Sequence, residues 1–232
     1  MKKDKIITWV AGLFWAGALA YIVSGFFKGG KLGLKKINPT GKTIAFLGDS
    51  YTSIGTYGWQ SLLAKQYGFK EVNRAKGGVR TEYMLQEAQR YLASNKPDYL
   101  MVLGGANDAY SLVTIDAAVN NIQKIVDLAN SKGVPVIVVA GYNSRKGQVG
   151  NVKQKPNSWQ LSQGITQEKL WGMGEKYYQI QLKQKNIKGA TYVPPWDDVT
   201  HGDLYDGLHL TWDGNKKMAD YIGKYLFVQK KP

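Results

Sequence analysis

The chain of 232 residues is long enough for one globular domain with an appendage, and its hydrophobic content of 44% is typical of a protein with a packed core. It contains no cysteine, which excludes disulfide bonds, thiolate catalysis and cysteine-bound zinc. The formal net charge of +14 is unevenly placed, because residues 1–42 hold eight lysines and one aspartate and so carry half of the excess. This concentration favours an anionic membrane surface over a nucleic-acid-binding face.

The first predicted element is a transmembrane helix over residues 6–27, preceded by a Lys-rich start at residues 1–5. No charged side chain occurs in residues 6–27, and as a helix they would extend about 33 Å, enough to cross a bilayer. Two alternatives are a cleaved signal peptide with an A-x-A site at residues 18–20 and a buried core helix. The apolar run continues past that site, which favours an uncleaved anchor, and lysines on both sides leave its orientation open.

Residues 28–42, KGGKLGLKKINPTGK, predict a tether, and the folded domain is expected at residues 43–232. In that domain short apolar runs alternate with amphipathic stretches, as in chains where strands alternate with helices. The predicted strands are Thr43–Leu47, Glu71–Ala75, Tyr99–Leu103, Pro135–Ala140 and Ala190–Val193, and the predicted helices lie at about 57–67, 81–94, 115–132, 166–186 and 211–227. This alternation predicts an α/β fold with a parallel sheet, helices on both faces, and ligands bound beyond the carboxyl ends of the strands.

Polar and glycine-rich segments stand where the predicted strands end. They are GDS at 48–50, KGG at 76–78, GGAND at 104–108, and DGLH at 206–209 between the last strand and the last helix. Taken singly, each has a structural explanation, since Ser50 is also a suitable helix cap and paired glycines suit tight turns. His201, one of only two histidines, lies outside these segments and is interpreted as a loop residue.

Together the segments contain the groups needed for acyl transfer. A serine hydroxyl becomes a nucleophile when an imidazole takes its proton, and a carboxylate fixes the tautomer of that imidazole. Ser50, His209 and Asp206 fit these roles, because an aspartate three residues before a histidine can reach its ring across one turn. The N–H groups of Ser50 and Gly78 and the side-chain amide of Asn107 are the candidate oxyanion hole.

The four segments, in this order, resemble the sequence blocks of the SGNH hydrolases of the GDSL esterase/lipase superfamily: GDSYTSIG (48–55), NRAKGGVRT (73–81), GGAND (104–108) and DGLHLTWDG (206–214). The resemblance covers about residues 43–228. It implies a flavodoxin-like three-layer α/β/α fold with a five-stranded parallel sheet, a Ser-His-Asp triad, no metal or organic cofactor, and hydrolysis of O-acyl esters. Three positions depart from the family pattern and could alter the shape of the pocket: Tyr51 replaces leucine in the first block, and Ala75 and Gly77 replace the Gly and Ser often found in the second.

Substrate contacts are expected in the long irregular stretch at residues 141–175, which follows the fourth strand and is a candidate lid. It contains Arg145, Trp159 and Trp171, and cations with exposed indoles suit an anionic or sugar-bearing substrate. In the alternative interpretation the tryptophans pack on the sheet and the cations are solvated. Asp49, directly before Ser50, is included among the candidate substrate contacts.

These observations predict a single-pass, membrane-anchored serine ester hydrolase that removes O-acyl groups, with acetyl favoured, from a carbohydrate or lipid near the membrane. The expected partners are that ester and, through residues 6–27, the lipid bilayer; no nucleic acid, metal or cofactor is expected. One alternative is a non-catalytic structural or binding membrane protein of an envelope or particle that retains the fold. A thioesterase or phospholipase with the same triad is another, and the sequence indicates no oligomeric state.

Overall fold

The computed structural model describes residues 36–146, 158–162, 164 and 166–228, with the backbone alone at residues 159 and 160. The predicted Lys-rich start, the predicted transmembrane helix at residues 6–27 and most of the tether lie outside these residues. Within the part described, no helix is both long enough and apolar enough to cross a bilayer.

Five strands form one parallel sheet: β1 (Thr43–Gly48), β2 (Lys70–Asn73), β3 (Tyr99–Leu103), β4 (Val136–Val139) and β5 (Ala190–Val193). Their spatial order is β2-β1-β3-β4-β5, which is the flavodoxin-like order. Phe46 of β1 lies opposite Asn73 on one side and Met101 on the other, so the carboxyl ends of these three strands meet at one edge of the sheet. The predicted parallel α/β fold is confirmed, and we call the two ends of the sheet its carboxyl edge and its amino edge.

The helices are α1 (Trp59–Tyr67), α2 (Thr81–Ser94), α3 (Ala106–Ala109), α4 (Ile115–Ser131), α5 (Ser158–Ser162), α6 (Gln167–Gln184) and α7 (Trp212–Leu226), with a 3₁₀ helix at His201–Asp203. Threonine caps begin three of them, because the side chains of Thr114, Thr166 and Thr211 each accept a hydrogen bond from a first-turn backbone N–H. The five long helices match the predicted ones. The short helices α3 and α5 were not predicted, since four or five residues contain no apolar repeat to detect.

The sheet is covered on both faces because successive strand residues point to opposite sides. On one face, Phe46 packs with Trp59 of α1 and Ile222 of α7. On the other face, Val102 packs with Ala88 of α2 and Ile122 of α4. Trp59 is fully buried, and burial of a large apolar side chain contributes about 1.5–3 kcal/mol to the stability of the fold. These two layers hold the strands, and therefore the loops that follow them, in fixed positions.

The described chain enters the domain at the amino edge of the sheet. Ile37 pairs with the end of α7, where its N–H donates to the carbonyl of Leu226 (2.8 Å) and its carbonyl accepts from the N–H of Val228 (2.9 Å). Strand β1 then runs from Thr43 to the opposite edge, about 20 Å away at 3.3 Å per residue. Ser50 follows β1 at that opposite edge.

Candidate active site

Three loops meet at the carboxyl edge of the sheet. Ser50 is the second residue after β1, Gly78 lies in the loop after β2, and Asn107 belongs to α3, which follows β3. The chain leaves β1 toward β2 on one side and leaves the neighbouring β3 toward β4 on the other, so the two connections diverge and a crevice opens between them. The loop containing residues 206–209, between β5 and α7, reaches the same crevice. The structure therefore brings together all four segments whose position after the strands suggested a site.

Ser50, His209 and Asp206 form a continuous chain of contacts. Nε2 of His209 lies 2.9 Å from Oγ of Ser50, and Nδ1 of His209 lies 2.7 Å from Oδ2 of Asp206. The other carboxylate oxygen of Asp206 accepts the backbone N–H groups of Leu208 (2.9 Å) and His209 (2.7 Å), so the turn itself orients the carboxylate toward the ring. All of these distances are within hydrogen-bonding range.

The protonation state of Asp206 determines the tautomer of His209. Burial, the largest influence, acts to raise the pKa of Asp206, but the hydrogen bonds from His209 and Leu208 outweigh it and hold the pKa below its usual value. An ionised carboxylate only accepts hydrogen bonds, so Nδ1 of His209 carries the proton that faces it. Nε2 is then left with a lone pair directed at the hydroxyl of Ser50, which is the arrangement that a general base requires.

The candidate oxyanion donors lie next to Ser50. A methyl group placed on Gly77 would lie 3.9 Å from Cβ of Ser50, so the loop after β2 passes directly beside the serine. Gly78 has a φ of +75°, a conformation that favours glycine, and open space where a side chain would stand. Nδ2 of Asn107 donates one hydrogen to the carbonyl of Val79 (3.0 Å), which leaves its second hydrogen for a ligand. Among the described residues, the N–H groups of Ser50 and Gly78 donate no hydrogen bond to the protein.

A buried hydrogen-bonded pair fixes these donors relative to one another. Asp108, the neighbour of Asn107, accepts the backbone N–H (3.0 Å) and the hydroxyl (2.6 Å) of Thr81, the first residue of α2. Helix α3 is thereby tied to the segment after β2 at two points, the carbonyl of Val79 and Thr81. The amide of Asn107 is consequently held beside the segment that carries the N–H of Gly78.

Asp49 lies behind the serine rather than in the crevice. It is fully buried, one carboxyl oxygen accepts the N–H of Tyr51 (3.1 Å), and the other has no hydrogen-bond partner among the described residues. Burial raises the pKa of Asp49 to about 7, well above its ordinary value, with the nearby Asp108 carboxylate adding to the effect. The expectation that Asp49 contacts substrate is therefore corrected: its side chain is buried in the interior, where it accepts a hydrogen bond from the turn that carries Ser50.

A group of tyrosines that sequence reasoning missed packs beneath the candidate triad. The hydroxyls of Tyr51 and Tyr142 lie 3.1 Å apart, and Tyr142 donates to the carbonyl of Leu208 (2.6 Å), which ties the 206–209 turn to the end of β4. The ring of Tyr51 lies 5.8 Å from that of His209. The only sequence signal was Tyr51 itself, which replaces the family's leucine, and nothing local identified Tyr142 as its partner.

The predicted substrate contacts at residues 141–175 are only partly described. Arg145 forms an ion pair with Glu175 of α6, with Nε 3.0 Å from Oε2, so its charge is directed at that helix. Trp171 is half-buried in α6, and in the described part of the chain its indole N–H has no hydrogen-bond partner. The side chain of Trp159 and residues 147–157 lie outside the described residues. The lid and its contacts therefore stay predictions.

His201 lies exposed in the 3₁₀ helix, away from the position that His209 occupies beside Ser50. Across the residues that the structure describes, no three side chains of the His, Cys, Asp or Glu type come together in a way that could hold a metal ion.

Comparison with known proteins agrees with this geometry. The model of the GDSL-like Lipase/Acylhydrolase family matches residues 46–217, whereas comparison with curated proteins gave no match. Among solved structures the chain is similar to TesA (TM-score 0.55, 19% identity, covering 79% of this chain and 97% of TesA). It is also similar to Axe2, an acetylxylan esterase from Geobacillus stearothermophilus (0.56, 15%, 82% and 96%), and to a lipolytic protein of the G-D-S-L family from Veillonella parvula (0.60, 14%, 78% and 96%). At these identities the structural likenesses establish the fold.

Proposed function

Because the chain belongs to the GDSL-like lipase/acylhydrolase family and is an ester-hydrolysing enzyme, we propose that it cleaves O-acyl esters with Ser50 as the nucleophile. The observation that carries this proposal is the unbroken contact from Ser50 Oγ to His209 Nε2 (2.9 Å) and from His209 Nδ1 to Asp206 (2.7 Å). An isolated serine hydroxyl is a weak nucleophile, and this relay supplies the base that activates it.

The reaction proceeds in two halves. Oγ of Ser50 bonds to the ester carbonyl carbon while Nε2 of His209 takes the serine proton, and Asp206 stabilises the resulting imidazolium. The tetrahedral intermediate then collapses, the bond to the alcohol breaks, and the alcohol leaves with the proton from Nε2. A water molecule next gives a proton to His209 and attacks the acyl-enzyme. The carboxylic acid departs, and the proton returns to Ser50.

The negative oxygen of each tetrahedral intermediate is held by the N–H groups of Ser50 and Gly78 and the side-chain amide of Asn107. Each such donor commonly contributes about 10²–10³ in rate. Support for this role comes from the N–H groups of Ser50 and Gly78, which within the described residues have no other acceptor, and from the tie between Asn107 and the carbonyl of Val79.

The favoured substrate is an O-acetyl or other short acyl ester on a carbohydrate, and residues 6–27 are proposed to anchor the enzyme in a membrane. The apolar, uncharged character of those residues supports the anchor. The similar fold of an acetylxylan esterase is in keeping with the substrate class.

The proposal is tested with the full-length chain purified in detergent. Hydrolysis of p-nitrophenyl acetate and longer acyl esters is compared between wild type, Ser50→Ala and the matched control Ser53→Ala. The Ser50 variant is expected to lose hydrolysis and labelling by a fluorophosphonate probe, and the Ser53 variant to keep both. A folded wild-type protein that neither hydrolyses these esters nor labels would overturn the proposal and favour a binding role for the same fold.

A further inference from the structure

An open groove lies beside His209, outside the residues assigned to the reaction. Its volume is about 590 Å³, within the range of small-ligand sites. The side chains that line it include Ile54, Tyr57, Tyr205, Leu210 and Trp212, and in the described part of the chain none of the lining side chains is charged. The groove is thus built from the segment after Ser50 on one side and the segment around His209 on the other.

Three of the lining rings face solvent. Tyr57 is 66% exposed, Tyr205 67% and Trp212 54%, whereas Leu210 beneath them is buried. Rings exposed to this extent add little to the core, and several exposed apolar groups around one concavity are typical of a binding surface. Their exposure therefore indicates a role in binding rather than in folding.

The position of the groove assigns it to the alcohol part of the ester. The ring of Tyr205 stacks on that of His209, with centroids 5.7 Å apart and planes inclined by 19°. His209 must pass its proton to the departing alcohol, so the alcohol lies on the His209 side of Ser50. The carbonyl oxygen faces the other way, toward Gly78 and Asn107, and the groove next to His209 is left for the leaving group.

A second groove shares Trp212 with the first. It has a volume of about 370 Å³, and its lining includes Leu62, Lys65, Lys216 and Asp220 together with the same Trp212. Trp212 therefore borders both grooves, so a ligand that contacts this ring can extend from one groove into the other. Two grooves that meet at one ring suit a chain of linked units better than a compact alcohol.

We propose that the two grooves around Trp212 bind the sugar rings of an O-acylated glycan, with Tyr57, Tyr205 and Trp212 packing around the ring nearest the ester. This inference rests on the proposed function, because it identifies the leaving group of that reaction. Tyr and Trp side chains combine a flat apolar face with a polar group at the rim, and a pyranose combines a face of C–H groups with peripheral hydroxyls. An aliphatic acyl chain would instead be best covered by an enclosed apolar pocket, and these grooves are open.

The experiment measures sugar binding without turnover. Two probes, O-acetylated xylotetraose and O-acetylated chitotetraose, are titrated by calorimetry into the full chain carrying Ser50→Ala. In that background Trp212→Ala and Tyr57→Ala are expected to weaken binding of the preferred probe by about five- to tenfold each, the size expected for one lost ring contact. The matched control is Tyr225→Ala, which removes a half-buried ring from the far end of the same helix as Trp212.

The outcomes separate the two proposals. Absence of binding by both probes, or equal losses in the Trp212 and Tyr225 variants, would overturn the sugar assignment. A further contrary result is that the groove variants leave glycan affinity unchanged in the Ser50→Ala background. If the same substitutions, made in the enzyme that retains Ser50, then change its preference between p-nitrophenyl acetate and p-nitrophenyl octanoate, the groove holds the acyl chain and the sugar assignment is overturned. Binding that depends on Trp212 in a protein that never reacts with esters would retain the sugar site and reject the proposed function.

Discussion

Replacement of Asp206 by asparagine tests whether the carboxylate controls the tautomer of His209. Oδ1 of Asp206 accepts the N–H groups of Leu208 (2.9 Å) and His209 (2.7 Å), and an amide oxygen can accept both bonds equally well. The new amide nitrogen then occupies the position 2.7 Å from Nδ1 of His209 and presents a hydrogen to it. Two N–H groups cannot face each other at that distance, so the ring proton moves to Nε2 and the base for Ser50 is lost.

The expected result is a fall in kcat of about 10⁴-fold, which corresponds to about 5.4 kcal/mol of lost transition-state stabilisation. The free energy of unfolding at neutral pH should change by less than about 1.5 kcal/mol, because the bonds that form the turn are retained. Since the pKa of Asp206 is lowered in the folded state, the ionised carboxylate stabilises the fold above the unfolded pKa of about 4, and that stabilisation is lost as the pH falls further. The asparagine variant should lack this part of the acid sensitivity.

The assay is steady-state hydrolysis of p-nitrophenyl acetate, with chemical denaturation at pH 7 and pH 3 as the measure of stability. Asp213→Asn is the matched control, since Asp213 is an exposed acid in the first turn of α7 and should leave kcat within twofold of wild type. A folded Asp206→Asn variant that keeps more than a tenth of wild-type kcat would refute the reasoning, because the base would then not depend on the carboxylate.

Two further predictions concern the residues on either side of the serine. Asn107→Ala should lower kcat by about 10²–10³-fold with little change in KM, because the amide is needed only when the oxyanion forms; unchanged turnover would remove Asn107 from the oxyanion hole. Asp49→Asn should flatten the pH dependence of stability. The pKa of Asp49 is raised to about 7 in the folded protein, which therefore retains a proton that the unfolded chain releases above about pH 4. As the pH rises from about 4 to about 7, the free energy of unfolding consequently falls by up to about 1.4 kcal/mol per pH unit. Urea titrations at pH 4.5 and pH 7 should show a smaller difference in the variant than in wild type, and equal differences would place the titration elsewhere.

Much of the fold and the identity of the candidate triad followed from the sequence because both are encoded locally. Apolar runs that alternate with amphipathic stretches indicate strands and helices wherever they occur, and parallel strands bring their carboxyl ends to one edge without further information. Because the strands that precede Ser50, Gly78 and Asn107 all end at that edge, the sequence predicted that these three residues lie close together. The spacing of Asp206 and His209 likewise predicted their contact across a single turn.

The tertiary structure decided what depends on segments distant in the chain. Ser50 and His209 are separated by 159 residues, and only the packing of the last loop over the end of β1 sets their contact at 2.9 Å. Asp49 stands in the same short motif as the serine, but its side chain is buried in the folded protein, and this burial raises its pKa to about 7. No local feature of the sequence indicates that burial. The aromatic groove depends on two segments, one holding Tyr57 and the other Trp212, that meet only in the folded chain. Residue type and local spacing therefore determined the chemistry that this protein carries, whereas burial and long-range packing determined the direction in which each group points.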